Sequence, residues 1–149
     1  KYAIQSSSSA TEKFFALELV QEIINRGYDV NKVWSLIELP YSFRNEHDID
    51  AMIALFDLLV KNGANPDYVF EQGTNSGDLW TPLMAATLYG DERIIGALLN
   101  LGADINKPSN PYANHPDVSM QGLHTPFYYA MQLCPDSITD FLKHNGGNI

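Results

Sequence analysis

In the stretch KPSNPYANHPDVSMQGLHTP, positions 107 to 126, three side chains are able to ligate a metal or move a proton: His115, Asp117 and His124. Either chemistry requires them to converge, and their spacing does not arrange it. They lie on a proline-rich run without hydrophobic period rather than at i, i+4 on a helix face, and nothing nearby is set to orient them. Cys134 with His144 is the other pair to weigh, as a thiol nucleophile and its base. His144 falls ten residues on, near the far end of a helix, which separates the two by on the order of 15 Å at the helical rise. The chain has no Gly-x-Ser-x-Gly, no phosphate-cradling glycine loop and no His-Glu-x-x-His, and its carboxylates are dispersed. Catalytic residues, metal ligands, cofactors and a small-molecule substrate are therefore not expected within this segment.

The elements that carry these residues must be read from the whole chain. Its 149 residues are 45% hydrophobic and 18% charged, the size and balance of one foldable domain. No apolar run reaches the roughly 18 residues needed to cross a bilayer, and no signal-peptide order stands at the start. The sequence opens at Lys1 without an initiator Met, so a piece of a longer or processed chain is expected. One cysteine, Cys134, excludes an internal disulfide framework and fits a reducing, cytoplasmic compartment. The net charge of −9, with nine scattered Lys and Arg, opposes nucleic acid and anionic membrane as partners. Such acidity suits simple solubility or a protein partner with a basic surface.

Internal repetition supplies the architecture. IINRGYDVN (23 to 31), LVKNGANPD (59 to 67), LLNLGADIN (98 to 106) and LKHNGGNI (142 to 149) align without a gap. Each runs from apolar residues through polar ones to Gly and then to Asp or Asn. This is a helix ending, with Gly27, Gly63, Gly102 and Gly146 in the left-handed position that closes the last carbonyls. WTPLMAATLYG (80 to 90) and HTPFYYAMQLC (124 to 134) form a second recurring element. Threonine caps a helix there and proline takes its first position. Thr81 to Gly102 and Thr125 to Gly146 both span 21 residues, so the helical portion has fixed length. Within it Asp91 is an N-cap, and Ile94, Ile95, Leu98 and Leu99 share one face. Ile49, Met52, Ile53, Phe56, Leu59 and Val60 form the matching stripe one unit earlier. A helix over Val33 to Leu39, stopped by Pro40, is expected as the first of that unit. The opening unit is expected as a degenerate cap or one long helix, Thr11 to Arg26, since Ser6 to Ala10 has no apolar face. Phe14, Phe15, Tyr28, Phe56 and Phe141 are assigned to packing.

TPLMAATLYGDERIIGALLNLGADIN (81 to 106) resembles an ankyrin repeat nearly end to end. Residues 107 to 149 keep Thr125, Pro126, Ala130, Leu142 and Gly146 of the pattern, and the first two units keep its glycine-centred endings. The resemblance implies an all-α solenoid of about four helix-pair repeats, approximately 1–31, 32–67, 68–106 and 107–149, in a single domain over 1–149. Met84 and Tyr128 stand where the family has histidine, which removes that histidine's hydrogen bonds between turns.

The period is uneven. Successive glycines are 36, 39 and 44 residues apart, against about 33 in the family. In the last two intervals the excess falls in the hairpin-like fingers, 67 to 80 and 107 to 124. The resemblance implies a non-catalytic protein-interaction module that holds a protein partner with its fingers and concave helix face. On that face fall Trp80, Leu88, Tyr89, His124, Gln132 and Leu133, with Tyr68, Phe70, Tyr112 and His115 added from the fingers. The alternative is a structural or regulatory module packing against other domains of its own longer chain. The Asn-, Tyr- and Ile-rich composition and irregular repeat lengths also resemble ankyrin domains that intracellular bacteria deliver into host cells as effectors, with a catalytic domain elsewhere.

Overall fold

The four glycines marked as helix ends all adopt the left-handed conformation in the computed structural model of the chain, which describes residues 10–36, 46–71 and 77–149. Gly27, Gly63, Gly102 and Gly146 have φ of 92°, 94°, 100° and 94°. Each ending uses one pair of hydrogen bonds, from the glycine N–H to the carbonyl three residues back and from the next N–H to the carbonyl five back. At Gly102 these are Gly102 N–H to Leu99 O at 3.1 Å and Ala103 N–H to Leu98 O at 3.0 Å. The geometry satisfies the last carbonyls of each helix and turns the chain out of it.

The chain divides into two compact units, Lys1–Asn65 and Pro66–Ile149. In the first, helix α1 (Ala10–Asn25) is one uninterrupted helix, as expected for a long opening helix, and it packs on α2 (Glu46–Lys61). Between them lies a 3-10 helix, Val30–Leu36, where an α-helix over Val33 to Leu39 is expected; residues 37–39 and Pro40 lie outside the described residues. The α2 stripe is buried at Ile49, Met52, Phe56 and Leu59, with Leu55 added, while Ile53 and Val60 are half-buried. Trp34 closes this core, its ring 5.3 Å from that of Phe56 and its Nε1–H donating to Asn65 O at 3.1 Å. Tyr28, assigned to packing, is instead 42% exposed; it follows the Gly27 turn, which swings it off the helix face. The side chains of Phe14 and Phe15 lie outside the described residues.

In the second unit two helix pairs repeat one design. Helices α3 (Pro82–Tyr89) and α4 (Glu92–Asn100) have 8 and 9 residues, as do α5 (Pro126–Leu133) and α6 (Asp136–His144). Thr81 Oγ1 accepts from Met84 N–H at 3.1 Å and Thr125 Oγ1 from Tyr128 N–H at 3.3 Å, with Pro82 and Pro126 opening the helices. Asp91 caps α4 through Arg93 N–H and Ile94 N–H. Pro135 sits before α6 without a side-chain cap. Each pair packs internally, and α3 packs on α5. Ile94, Ile95 and Leu98 are buried and Leu99 half-buried, while Phe141 of α6 lies 3.8 Å from where a Cβ on Gly96 would stand.

The expected all-α class needs one addition. Strands β1 (Phe70–Glu71) and β2 (Leu79–Trp80) form an antiparallel ribbon with Phe70 opposite Trp80. Leu79 and Asn110 exchange N–H···O bonds of 2.8 and 3.0 Å, and Ser109 and His124 exchange two of 3.1 Å. Extended pairing is how backbone polar groups in these fingers find partners. Residues 72–76 of the first finger lie outside the described residues. Among the described residues no helix is long and apolar enough to cross a membrane.

A further regularity joins consecutive helix endings. The side chain four residues after one glycine accepts from the backbone N–H two residues after the next. Asn31 Oδ1 accepts from Asn65 N–H at 2.7 Å, Asp67 Oδ1 from Asp104 N–H at 2.9 Å, and Asn106 Oδ1 from Asn148 N–H at 2.9 Å. Asn106 Nδ2–H also donates to Gly146 O at 3.2 Å. The Asp or Asn of the ending motif is thereby explained as a rung between repeats. Asn106→Ala is expected to lower stability by about 1 kcal/mol and Gly102→Ala by about 1–2 kcal/mol, both read from urea unfolding midpoints. Nothing lies within 4 Å of a Cβ on Gly102, so its cost is that of the backbone conformation alone.

Candidate functional site

Finger 107 to 124 is anchored on the helices of its own unit. It turns back over α3 and α5, and Met120 is buried there beside Met84 and Tyr129. Trp80, Leu88, Tyr112 and Tyr128, each half-buried, pack around this centre. Tyr112 is the hub of the rings, 6.1 Å from Trp80, 5.6 Å from Tyr129 and 5.6 Å from His115, in edge-to-face arrangements. Such contacts, with thioethers filling the gaps between rings, add to the burial of area.

Hydrogen bonds hold the finger's far end. Asp117 starts a short 3-10 turn, Val118–Met120, by accepting from Ser119 N–H at 2.9 Å. The hydroxyl of Tyr128 donates to Ser119 O at 2.8 Å, and that of Tyr129 to Met120 O at 2.9 Å and Gly122 O at 3.2 Å. Gln121 Nε2–H donates to His115 O at 2.7 Å, and Gly122 N–H to Asn110 Oδ1 at 3.2 Å. His124 stacks on Tyr128 with ring centroids 3.9 Å apart, its Nε2–H directed at Gln121 O at 2.9 Å. Tyr128, where the resemblance implies histidine, ties its helix to the finger.

The residues expected to meet a partner are thus divided. Trp80 and Leu88 belong to the cluster beneath the finger, which Tyr112 and His124 join from the finger itself, and Trp80 Nε1–H is enclosed and without a hydrogen-bond partner. Phe70 is buried opposite Trp80, and Tyr68, Tyr89 and His115 are half-buried. Gln132 and Leu133, at the end of α5, are exposed, Leu133 by 50%. Composition alone missed Met120, because its partners are far off in sequence, and Tyr129, whose apolar ring hides its role as a donor. Val118 and Leu123, exposed by 76% and 66%, also went unread in a stretch without period.

The groups that could do chemistry are otherwise engaged. His115 Nδ1 accepts from Asp117 N–H at 3.1 Å. The Asp117 carboxyl is held below the usual carboxylate range, first by the Ser119 hydroxyl and then by the Ser119 N–H. Burial pushes the Cys134 thiol up, and it donates to Thr87 O at 3.3 Å. His144 Nδ1–H is bonded to Asp140 O at 2.7 Å. Among the described residues no group of three or more His, Cys, Asp or Glu is placed to hold a metal ion.

With this geometry in place the comparison with known families is direct. Residues 78–110 match the ankyrin repeat family. The match begins just before β2, takes in α3 and α4, and ends in the following finger. Ankyrin repeats in general mediate contacts between proteins. No curated protein and no solved structure matches the chain.

Two outcomes follow for the Met120 and Tyr129 cluster. Met120→Ala should cost about 2–4 kcal/mol in chemical unfolding, the range for truncating a buried methionine. Burial, with Tyr128 and Tyr112 beside it, pushes Tyr129 up to about 12. The folded chain then keeps a proton that the unfolded chain releases near 10, so stability should fall as pH rises from 10 to 12. Tyr129→Phe should flatten that dependence, measured by melting temperature against pH.

Proposed function

We propose that the chain is a non-catalytic protein-recognition module of four ankyrin-like repeats, approximately 1–31, 32–67, 68–106 and 107–149. The match of 78–110 to a family whose repeats join proteins carries this reading. The face proposed for the partner lies on α3, α5 and the finger above them. Leu88 and Tyr89 at the end of α3 hold the same repeat positions as Gln132 and Leu133 at the end of α5, and of the four Gln132 and Leu133 are exposed while Leu88 and Tyr89 are half-buried. A half-exposed leucine on a short helix capped by Thr125 and packed on α3 is an anchor held in place before binding, which spares the ordering cost of docking. Trp80, Tyr112 and His124 serve that face from beneath by fixing the finger. Tyr68 is assigned to its rim. The acidity of the chain suits a partner with a basic surface.

The test is capture of partners from cytosol by the 149-residue chain and by a Gln132→Ala, Leu133→Asp double variant. Because both side chains are exposed, the double variant should keep its stability within about 0.5 kcal/mol and lose most of the captured partner. Retention of the same partners by a folded double variant would sink the assignment of this face.

A further inference from the structure

Asparagine precedes the glycine in two of the helix endings, at Asn62-Gly63 and Asn145-Gly146, and these are the two Asn-Gly steps of the sequence. Such a step carries chemistry of its own. The backbone nitrogen of the glycine, unshielded by a side chain, can attack the asparagine Cγ. The new N–Cγ bond closes a cyclic succinimide as the Cγ–Nδ2 bond breaks, and the glycine amide proton departs with the leaving ammonia. Water then opens the ring at either carbonyl and leaves aspartate or isoaspartate. No reagent but water is consumed, so local structure decides which step reacts.

The two endings restrain the reacting atoms alike. Gly63 N–H donates to Val60 O at 3.0 Å and Gly146 N–H to Lys143 O at 3.1 Å. Asn62 Nδ2–H and Asn145 Nδ2–H each donate to the carbonyl four residues back, Leu58 O and Phe141 O, at 2.8 Å. A second restraint acts on Asn62. It is half-buried and pairs its amide reciprocally with that of Gln21 on α1, Asn62 Nδ2–H to Gln21 Oε1 and Gln21 Nε2–H to Asn62 Oδ1, both at 3.2 Å. Asn145 is exposed, and among the described residues its side chain makes the Phe141 bond alone. Fraying of one helix end, a low-cost opening, therefore frees the Asn145 Cγ, whereas Asn62 must also break a contact between helices. We propose that Asn145 is a site of spontaneous conversion to aspartate and isoaspartate, and that Gln21 shields Asn62 from the same reaction. The product acts on the stack. Its carboxylate opposes the dipole at the C-terminus of α6, and isoaspartate lengthens the main chain just before Gly146 O and Asn148 N–H, which make the rung to Asn106.

The test ages the 149-residue chain in mildly alkaline buffer, folded and in urea, and follows both steps by peptide mass mapping that separates aspartate from isoaspartate. Asn145 should convert about tenfold faster than Asn62 in the folded chain, and the two rates should converge in urea. Gln21→Ala, with Gln21→Met as a second variant that keeps the side-chain length without its amide, should speed Asn62 about threefold or more and leave Asn145 unchanged. Ageing should lower the urea midpoint of the native chain and spare Asn145→Gln. Equal rates at the two steps of the folded chain, no conversion of Asn145 there, or an Asn62 rate unmoved in both folded Gln21 variants overturns the proposal.

Discussion

A helix of eight or nine residues leaves about half of its backbone donors and acceptors without partners inside the helix, and the four α-helices described in the second unit are all of that length. Nearly every recurring residue answers this constraint. Threonine 81 and threonine 125 take amides at one end, glycine closes carbonyls at the other, and Asp91 does the same work at the turn between helices. Beyond each glycine the same demand passes to the next ending, where Asn31, Asp67 and Asn106 accept a backbone N–H from 34, 37 and 42 residues away. The spacing varies and the rung does not. Insertions are therefore free to accumulate in the fingers without disturbing the register of the endings.

The long finger meets the same constraint with side chains. Its buried carbonyl at Met120 would otherwise be left unpaired, and Tyr129 supplies the donor, while Tyr128 and Tyr129 also tie Ser119 O and Gly122 O. Met84 and Tyr128 stand at the two positions where the family has histidine. Met84 is a buried thioether and Tyr128 a tie to the finger.

The sequence made the helix endings, caps and helix lengths legible because each depends on residues within a few positions of one another, as in Thr81 with Pro82 or Leu98 with Gly102. The ribbon rungs at Leu79 with Asn110 and Ser109 with His124 were less so, since short strands in a proline-rich finger show no alternation. Met120 illustrates the limit. It is one apolar residue among polar neighbours, and its burial is decided by Met84 and Tyr129, neither of which the local pattern points to. The 3-10 helix Val30–Leu36 in place of a regular α-helix has the same cause: Trp34 is placed by Phe56 and Asn65, not by a helical stripe of its own.

An aromatic at a variable position of a repeat can be covered by a partner or by the chain itself, and type and spacing do not distinguish the two. Trp80, Tyr112 and His124 show why. Trp80 is met by Tyr112, and Tyr112 and His124 belong to the finger itself and turn inward onto Tyr129 and Tyr128, in a finger about 11 residues longer than the family period allows. What the finger hides on its inner side it replaces on its outer side, where Val118 and Leu123 now stand in solvent. The enlarged finger therefore lays a second layer over the helix face, and Leu133 at the end of α5 stays exposed.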